Sequence, residues 1–499
     1  MRSTNPRLRV VALLAIAAVA ALGASSAVGA TATKAASSSP NNFLYQVSPF
    51  VQQVADSGSA PATFTSPFCS TKPTPVGPSS RPTLVCYGPK DLKKAYDYPS
   101  GLTGAGQTIV IVDAYGSPTV QQDLAAFDAA FSLPDVPGGL QVVCPAGCPA
   151  FNLNNRPMNE IGWAEETSLD VQWAHAMAPG AKLVLAVAPS PYGDAINSVE
   201  AKIFADPAYK GAIVSQSFGI PEYLVTGNNA QILQGHRNYA LARQNGMTVL
   251  ASAGDGGGTN GAGTLNAGFP ASDPNVTAVG GTQGDPYFNG RGGSGGLPLP
   301  SCTSGVPCSL GLATVTCTTD VTPGPTTAAT AVCPTTGYGG EKTWNEPFLP
   351  AATGGAASLL FPAPSYQGVD VTGSPMRTIP DISYNAAVSG GVLTYLGFLG
   401  PKNSGFYIFG GTSAGSPQMA SVVALANQSR GSSLGFLNST LYGLAENPVT
   451  YAADFHDITV GNNQLSGTLA GNSAHPGYDL ATGWGTPNVA NLVSSLAGS

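Results

Sequence analysis

Residues 409–417 read Phe-Gly-Gly-Thr-Ser-Ala-Gly-Ser-Pro, with Ser413 in their middle. A strand-like run, Gly405 to Phe409, leads in, and a helix-like run, Gln418 to Gln428, leads out. A serine on a sharp turn between glycines can hold its hydroxyl clear of crowding. The helix start behind it offers free N–H groups and the positive end of the dipole. Pro417 suits the first helical turn, where a missing N–H costs nothing. An ordinary glycine-rich loop with a capping serine has the same local composition. What separates the two readings is a base for the hydroxyl.

A serine hydroxyl is a poor nucleophile until a base takes its proton. Four histidines are available: His175, His236, His456 and His475. None stands in a His-Gly-Thr string, and His175, between Ala174 and Ala176, reads as structural. Carboxylates are the other source. Glu166 and Asp170 stand at i and i+4, one above the other on a helix face. Like charges there repel, so the pair implies a shared proton or a solvated acidic face. A shared proton would raise one pKa and lower the other, and Trp163 and Trp173, which flank the pair, argue for partial burial. A third acid, Asp255, follows an apolar strand in Ser252-Ala253-Gly254-Asp255-Gly256-Gly257. The C-terminal end of a parallel strand is where α/β sheets place ligands. A plain turn aspartate is the competing reading.

The elements that must position these groups alternate. Strands are expected at Gln107–Val112, Val142–Val143, Lys182–Val187, Ala212–Ser215, Met247–Ser252 and Asn275–Val279. Helices are expected at Lys90–Tyr96, Val120–Phe131, Glu160–Met177, Ala195–Phe204 and Ala230–Asn245. Apolar strands alternating with helices predict an α/β fold with a mainly parallel central sheet and helices on both faces. Val392–Leu396 and Gly405–Phe409 are expected to pair just before Ser413. Residues 284–340, rich in Gly, Pro and Thr, read as a disulfide-tied surface insertion.

The Glu166-x-x-Leu169-Asp170 element, the Ser-Ala-Gly-Asp255 element and the Gly-Thr-Ser413-x-x-x-Pro417 element together resemble the sedolisin (serine-carboxyl) peptidase family, which has a subtilisin-like fold. The strings Val214–Gly219, Phe269–Pro274, Pro364–Gln367 and Pro380–Ser383 are similar too, and the resemblance runs from about Cys86 to Leu496. It implies that Ser413 attacks a peptide carbonyl, Glu166 takes the proton, Asp170 orients Glu166, and a protonated Asp255 donates to the oxyanion. It also implies one calcium ion, Ca2+, on Asp457 and Asp479 with the carbonyls of Ile458, His475 and Gly477. These are oxygen donors, as a hard cation needs. His475 stands where the family pattern has glycine. The family usually carries a large folded propeptide, whereas residues 31–81 read as a disordered linker or short pro-segment. The expected activity is an acid-acting endopeptidase. A tripeptidyl exopeptidase and a catalytically silent binding protein are the alternatives.

Composition fits that expectation. Charged residues are 9%, Gly numbers 63 and Pro 42, net charge is −7, and the pI is about 5.0. There is no basic footprint for nucleic acid. Arg2, Arg7 and Arg9 precede the apolar run Val10–Leu22, and Val28-Gly29-Ala30 offers a cleavage site, so residues 1–30 read as a signal peptide. The catalytic domain is expected over 82–499, its calcium-binding tail over 452–490. The expected chain is secreted, off the membrane after signal removal, monomeric, and partnered by protein or peptide substrates. Eight cysteines behind an export signal imply disulfides. Proximity suggests 69–86, 144–148, 302–308 and 317–333.

Overall fold

The computed structural model describes residues 42–47, 49–53, 68–70, 83–155, 158–226, 230–284, 307–310, 313–318, 331–332 and, with single-residue breaks, 338–499. The expected signal peptide, much of the expected linker and most of the expected insertion lie outside the described residues. So do the cysteine pairings 302–308 and 317–333. Cys144 and Cys148 form a disulfide, as their proximity suggests, and Cys86 is disulfide-bonded as well.

Thirteen strands and seven helices position the site. The strands are β1 (Phe50–Gln53), β2 (Phe68–Ser70), β3 (Thr83–Tyr87), β4 (Thr108–Ala114), β5 (Gln141–Val143), β6 (Lys182–Ala188), β7 (Ile213–Gln216), β8 (Thr248–Ser252), β9 (Thr277–Gly284), β10 (Glu341–Thr343), β11 (Ile382–Asn385), β12 (Gly391–Leu396) and β13 (Gly405–Gly410). The helices are α1 (Pro89–Ala95), α2 (Val120–Phe131), α3 (Glu160–Met177), α4 (Gly193–Ala205), α5 (Ala230–Gln244), α6 (Gly415–Arg430) and α7 (Val489–Gly498). An eight-stranded sheet runs β10-β9-β8-β7-β4-β6-β5, with β11 also on β9. All its pairings are parallel except β10 on β9.

The period of two along β4 divides the core. Ile109 and Ile111 pack among residues of α3 and α6, while Val110 and Val112 pack among residues of α4 and α5. Helices therefore cover both faces, and the strands are apolar on both sides. Full burial of one such aliphatic side chain contributes roughly 1.5–3 kcal/mol, so a register slip that turned β4 over would be costly. By the same alternation Asp113 shares the α3 face with Ile109 and Ile111.

A second sheet runs β1-β13-β12-β3-β2, and β13 is the strand that delivers Ser413. β12 and β13 pair antiparallel as expected, Val392 opposite Phe409. Residues 42–53 depart from the expected linker. They lie extended on the domain because their main chain finds partners there. Gly193 N donates to the Phe43 carbonyl at 2.8 Å, Tyr45 N to Pro191 at 2.9 Å and Gln46 N to Gly219 at 2.9 Å. β1 then adds to the edge of β13, Phe50 opposite Gly410.

Candidate active site

Ser413 is positioned by a strand-to-helix turn. β13 ends at Gly410, a short 3₁₀ turn spans Thr412–Ala414, and α6 starts at Gly415. Gly411 has φ +121°, and a Cβ there would lie 2.7 Å from Asp255 Oδ2. A side chain at that position would meet both backbone strain and a carboxylate. Ser413 is 6% exposed.

α3 runs through the core. Glu166 and Asp170 are both fully buried, so the solvated-face reading is excluded. The Ser413 hydroxyl is close enough to Glu166 to lower its pKa, yet neither Glu166 oxygen closes a hydrogen bond. Such contacts commonly tighten only when substrate arrives. Burial dominates the Glu166 carboxyl and pushes its pKa well up, with the charges of Asp170, Asp113 and Asp255 adding to the rise. Asp170 is likewise raised, by burial and then by Asp113. Its Oδ1 accepts from the Ser217 hydroxyl at 2.8 Å, and that hydroxyl also lies 3.3 Å from the Ser413 carbonyl oxygen. Ser217 thus ties the end of β7 to both the helix and the turn that bears Ser413.

Asp255, past the end of β8, sits across from this pair. Its Oδ1 accepts from Thr412 N and from Thr412 Oγ1, each at 2.8 Å. Burial lifts its pKa to about 6 against those two bonds. Because Oδ1 already accepts twice, a proton on this acid belongs on Oδ2, the oxygen facing Gly411.

Three contributors escaped the sequence reading of the site. Asp113 is fully buried at the end of β4, and burial raises its carboxyl well above the usual range. It lies close enough to raise both Asp170 and Glu166. An acid ending the apolar strand Ile109–Val112 was the available signal, because that end of a parallel sheet faces the site. Ser217 and Thr412 left no signal beyond their place in family-like strings.

The histidines stand elsewhere. His175 Nε2 donates to the Pro134 carbonyl at 2.7 Å inside the core. His236 Nδ1 donates to Asp273 at 2.8 Å, which raises its pKa. None of the four is hydrogen-bonded to Ser413 among the described residues.

The expected calcium ligands form a separate group in the tail. Asp457 Oδ2 accepts from Gly477 N at 3.1 Å, and Asp479 Oδ2 from His475 N at 3.2 Å. Tyr451 has its hydroxyl pKa raised by burial and then by Asp457 and Asp479, which places both acids around it. Among the described residues no cluster of three or more His, Cys, Asp or Glu could hold a metal. A cation here would rest on two carboxylates and main-chain carbonyls, a donor set that fits calcium.

The sequence model of the subtilase family matches residues 146–485. Kumamolisin from Bacillus sp. (strain MN-32) is 31% identical over 428 residues, which are 84% of this chain and 64% of kumamolisin. Sedolisin from Pseudomonas sp. (strain 101) is 28% identical over 430 residues, 83% of this chain and 62% of sedolisin. The chain therefore spans less than two thirds of the length of these curated relatives. The solved structure of Pseudomonas sedolisin, a serine-carboxyl proteinase complexed with two molecules of pseudo-iodotyrostatin, superposes with a TM-score of 0.63 at 26% identity. The match covers 82% of this chain and 98% of that one. With the buried carboxylates gathered about Ser413, these matches show that the chain belongs to the sedolisin (serine-carboxyl) peptidase family and has its subtilisin-like fold.

Proposed function

We propose that this chain is a secreted, acid-acting serine-carboxyl endopeptidase. The observation that carries the reading is the placing of Ser413 between a buried carboxyl pair on α3 and a separately held acid, Asp255. On this reading Ser413 Oγ attacks the scissile carbonyl carbon while Glu166 takes its proton. Asp170 holds Glu166 in place, and protonated Asp255 donates from Oδ2 to the oxygen that becomes negative. Glu166 then gives its proton to the leaving amine. Water attacks the acyl-enzyme by the same route in reverse and releases the second product.

Endo cleavage is taken over tripeptide release because the domain pairs extended chain at Gly219 and again along β13. The test is digestion of an unstructured protein in acid, with both new termini of each product sequenced. Internal cuts from the earliest times are expected. Products confined to tripeptides from one end would replace this reading with the exopeptidase.

Export is supported by the basic and apolar N-terminal run and by the disulfides. Among the described residues no helix is long and apolar enough to cross a membrane. Calcium is part of the same proposal, held by Asp457, Asp479 and the carbonyls of Ile458, His475 and Gly477. It neutralises two acids that the tail brings together. A ligand that binds only the folded state raises the melting temperature, so chelation is expected to lower it. An unchanged melting curve after verified calcium removal would discard the site.

A further inference from the structure

Asp255 stands on a run of backbone that other segments hold from two directions. Residues 352–355 lie alongside it. Ala352 N donates to the Asp255 carbonyl at 3.1 Å and Gly354 N to the Gly254 carbonyl at 2.6 Å, and Gly256 bridges Ala352 in parallel. The second support comes from the tail. Between Ile458 and His475 the chain folds back on itself, with Asn462 opposite Ser473. Asn463 N donates to the Asn472 carbonyl and Ala474 N to the Gly461 carbonyl, each at 3.0 Å. Asn345 Nδ2 pins one arm of this hairpin, donating to the carbonyls of Asn462 at 3.1 Å and Gln464 at 2.9 Å.

The three runs meet at Asn463, which is fully buried. Its carbonyl accepts from Gly258 N at 2.9 Å, three residues past Asp255. Its Nδ2 donates to the Gly355 carbonyl at 3.2 Å, and its Oδ1 accepts from Asn472 N at 2.6 Å. Asn472 Nδ2 donates to the same Gly355 carbonyl at 2.8 Å. One residue thus fastens the segment that leaves Asp255 to the segment that lies beside it. The approach is close. A Cβ at Gly257 would lie 2.6 Å from the Asn463 carbonyl oxygen, and one at Gly258 2.8 Å from Asn463 Oδ1. Glycines after Asp255 are what let the hairpin seat.

This wrapping carries no charge. Residues 256–268, 350–357 and 459–474 contain no Asp, Glu, Lys, Arg or His. Of the charged groups, Glu166 faces Asp255 from α3, and the bonds that Asp255 accepts come from Thr412. Exclusion of water is therefore what sets this acid apart, and the hairpin is part of the wall that excludes it.

We propose that Asn463 is a positioning residue for Asp255, and that the tail hairpin 461–474 is the clamp through which it holds the oxyanion acid in place and dry. The inference rests on the peptidase reading of the site and adds to it a residue remote in sequence. An oxyanion donor is effective only where its place is fixed before the charge develops, and small errors in placing are costly.

The test is steady-state turnover of a quenched fluorescent peptide by the full chain, from strongly acid to neutral pH. Asn463→Ala keeps the main-chain carbonyl and removes both side-chain bonds. In acid it is expected to lower kcat about tenfold to a hundredfold, with KM changed less than about twofold. The fall of activity with rising pH should move to lower pH by about half a unit or more, because water reaching Asp255 returns it towards the ordinary carboxylate range. In an Asp255→Ala background the same change should cost less than about threefold, since a residue that acts through Asp255 has nothing left to place. An asparagine that only stabilised the tail would move neither the pH profile nor this background dependence. Asn472→Ala, at a partly exposed residue, removes the neighbouring bond to Gly355 and is expected to shift kcat and profile the same way by less. It carries the test if Asn463→Ala does not fold. Unchanged kcat and profile in the variants that fold, or an equal loss in the Asp255→Ala background, overturns the proposal. Folded wild type that cuts nothing in acid would sink the peptidase reading and this inference with it. Cutting by wild type with unaltered variants would sink this inference alone.

Discussion

Glu166→Gln should remove about a hundred- to ten-thousand-fold of turnover, the share that a positioned general base supplies. The expected loss is in kcat, with peptide affinity kept, because a glutamine has the same shape as the glutamate it replaces and only the proton acceptor goes. The fold should survive. Neither Glu166 oxygen closes a hydrogen bond, and burial already disfavours its charge, so the amide gives up little that stabilises the folded state. Ser413→Ala should lose as much, and the double variant no more than either single one, because nucleophile and base act as one unit. Turnover assays on the three proteins, with melting curves beside them, decide it. If Glu166→Gln keeps a tenth of wild-type activity, the base lies elsewhere. His236→Ala would then be the next variant; at present it is expected to be nearly neutral, since that ring is held by Asp273 and not by Ser413.

The pH dependence follows from Asp255. With its pKa lifted to about 6 by burial, it carries a proton below that pH and loses it above. The protonated form donates to the oxyanion, whereas the ionised form repels it, so activity falls as pH rises through about 6. Asp255→Ala should cost about a hundred- to a thousand-fold in kcat at acid pH, the loss typical of one oxyanion donor. Asp255→Asn tests the sign. Its amide donates at every pH, so the fall near pH 6 should flatten relative to wild type. Glu166, Asp170 and Asp113 set the other limb as a coupled group. All three are raised by burial, and Glu166 and Asp170 further by their acidic neighbours, so they shed their protons in steps that belong to the cluster. A wild-type profile that keeps its shape in Asp255→Asn would remove Asp255 from the chemistry.

Much of this was legible because the chemistry sits on regular elements. α2 and α3 run from the residues where composition and stop signals place them, Val120 and Glu160. Apolar runs between turn residues gave β4, β6, β7 and β8 nearly to the residue. The motif strings picked out Ser413, Glu166, Asp170 and Asp255, and in the structure the other three lie near Glu166. What stayed hidden was long-range. Asp113 stands at the end of an apolar strand in plain view, but that its face of β4 is the one α3 covers emerges only from the packing. The order of residues 42–53 was missed for a related reason. Asn42–Gln53 has little apolar periodicity of its own, and its order comes from edges supplied by Tyr192, Gly219 and β13.

The two sheets give the site an assembly order. The carboxylates of β4 and α3 belong to the large parallel sheet and its covering helix, whereas Ser413 arrives on β13 of the second sheet. A chain made from its N-terminus gains Asp113, Glu166, Asp170 and Asp255 well before it gains the serine. Until β13 has joined β12 and β1, the acids of the proposed mechanism have nothing to activate. The half-made chain thus carries the buried acids without the serine, and the strand that supplies Ser413 joins the sheet beside β1.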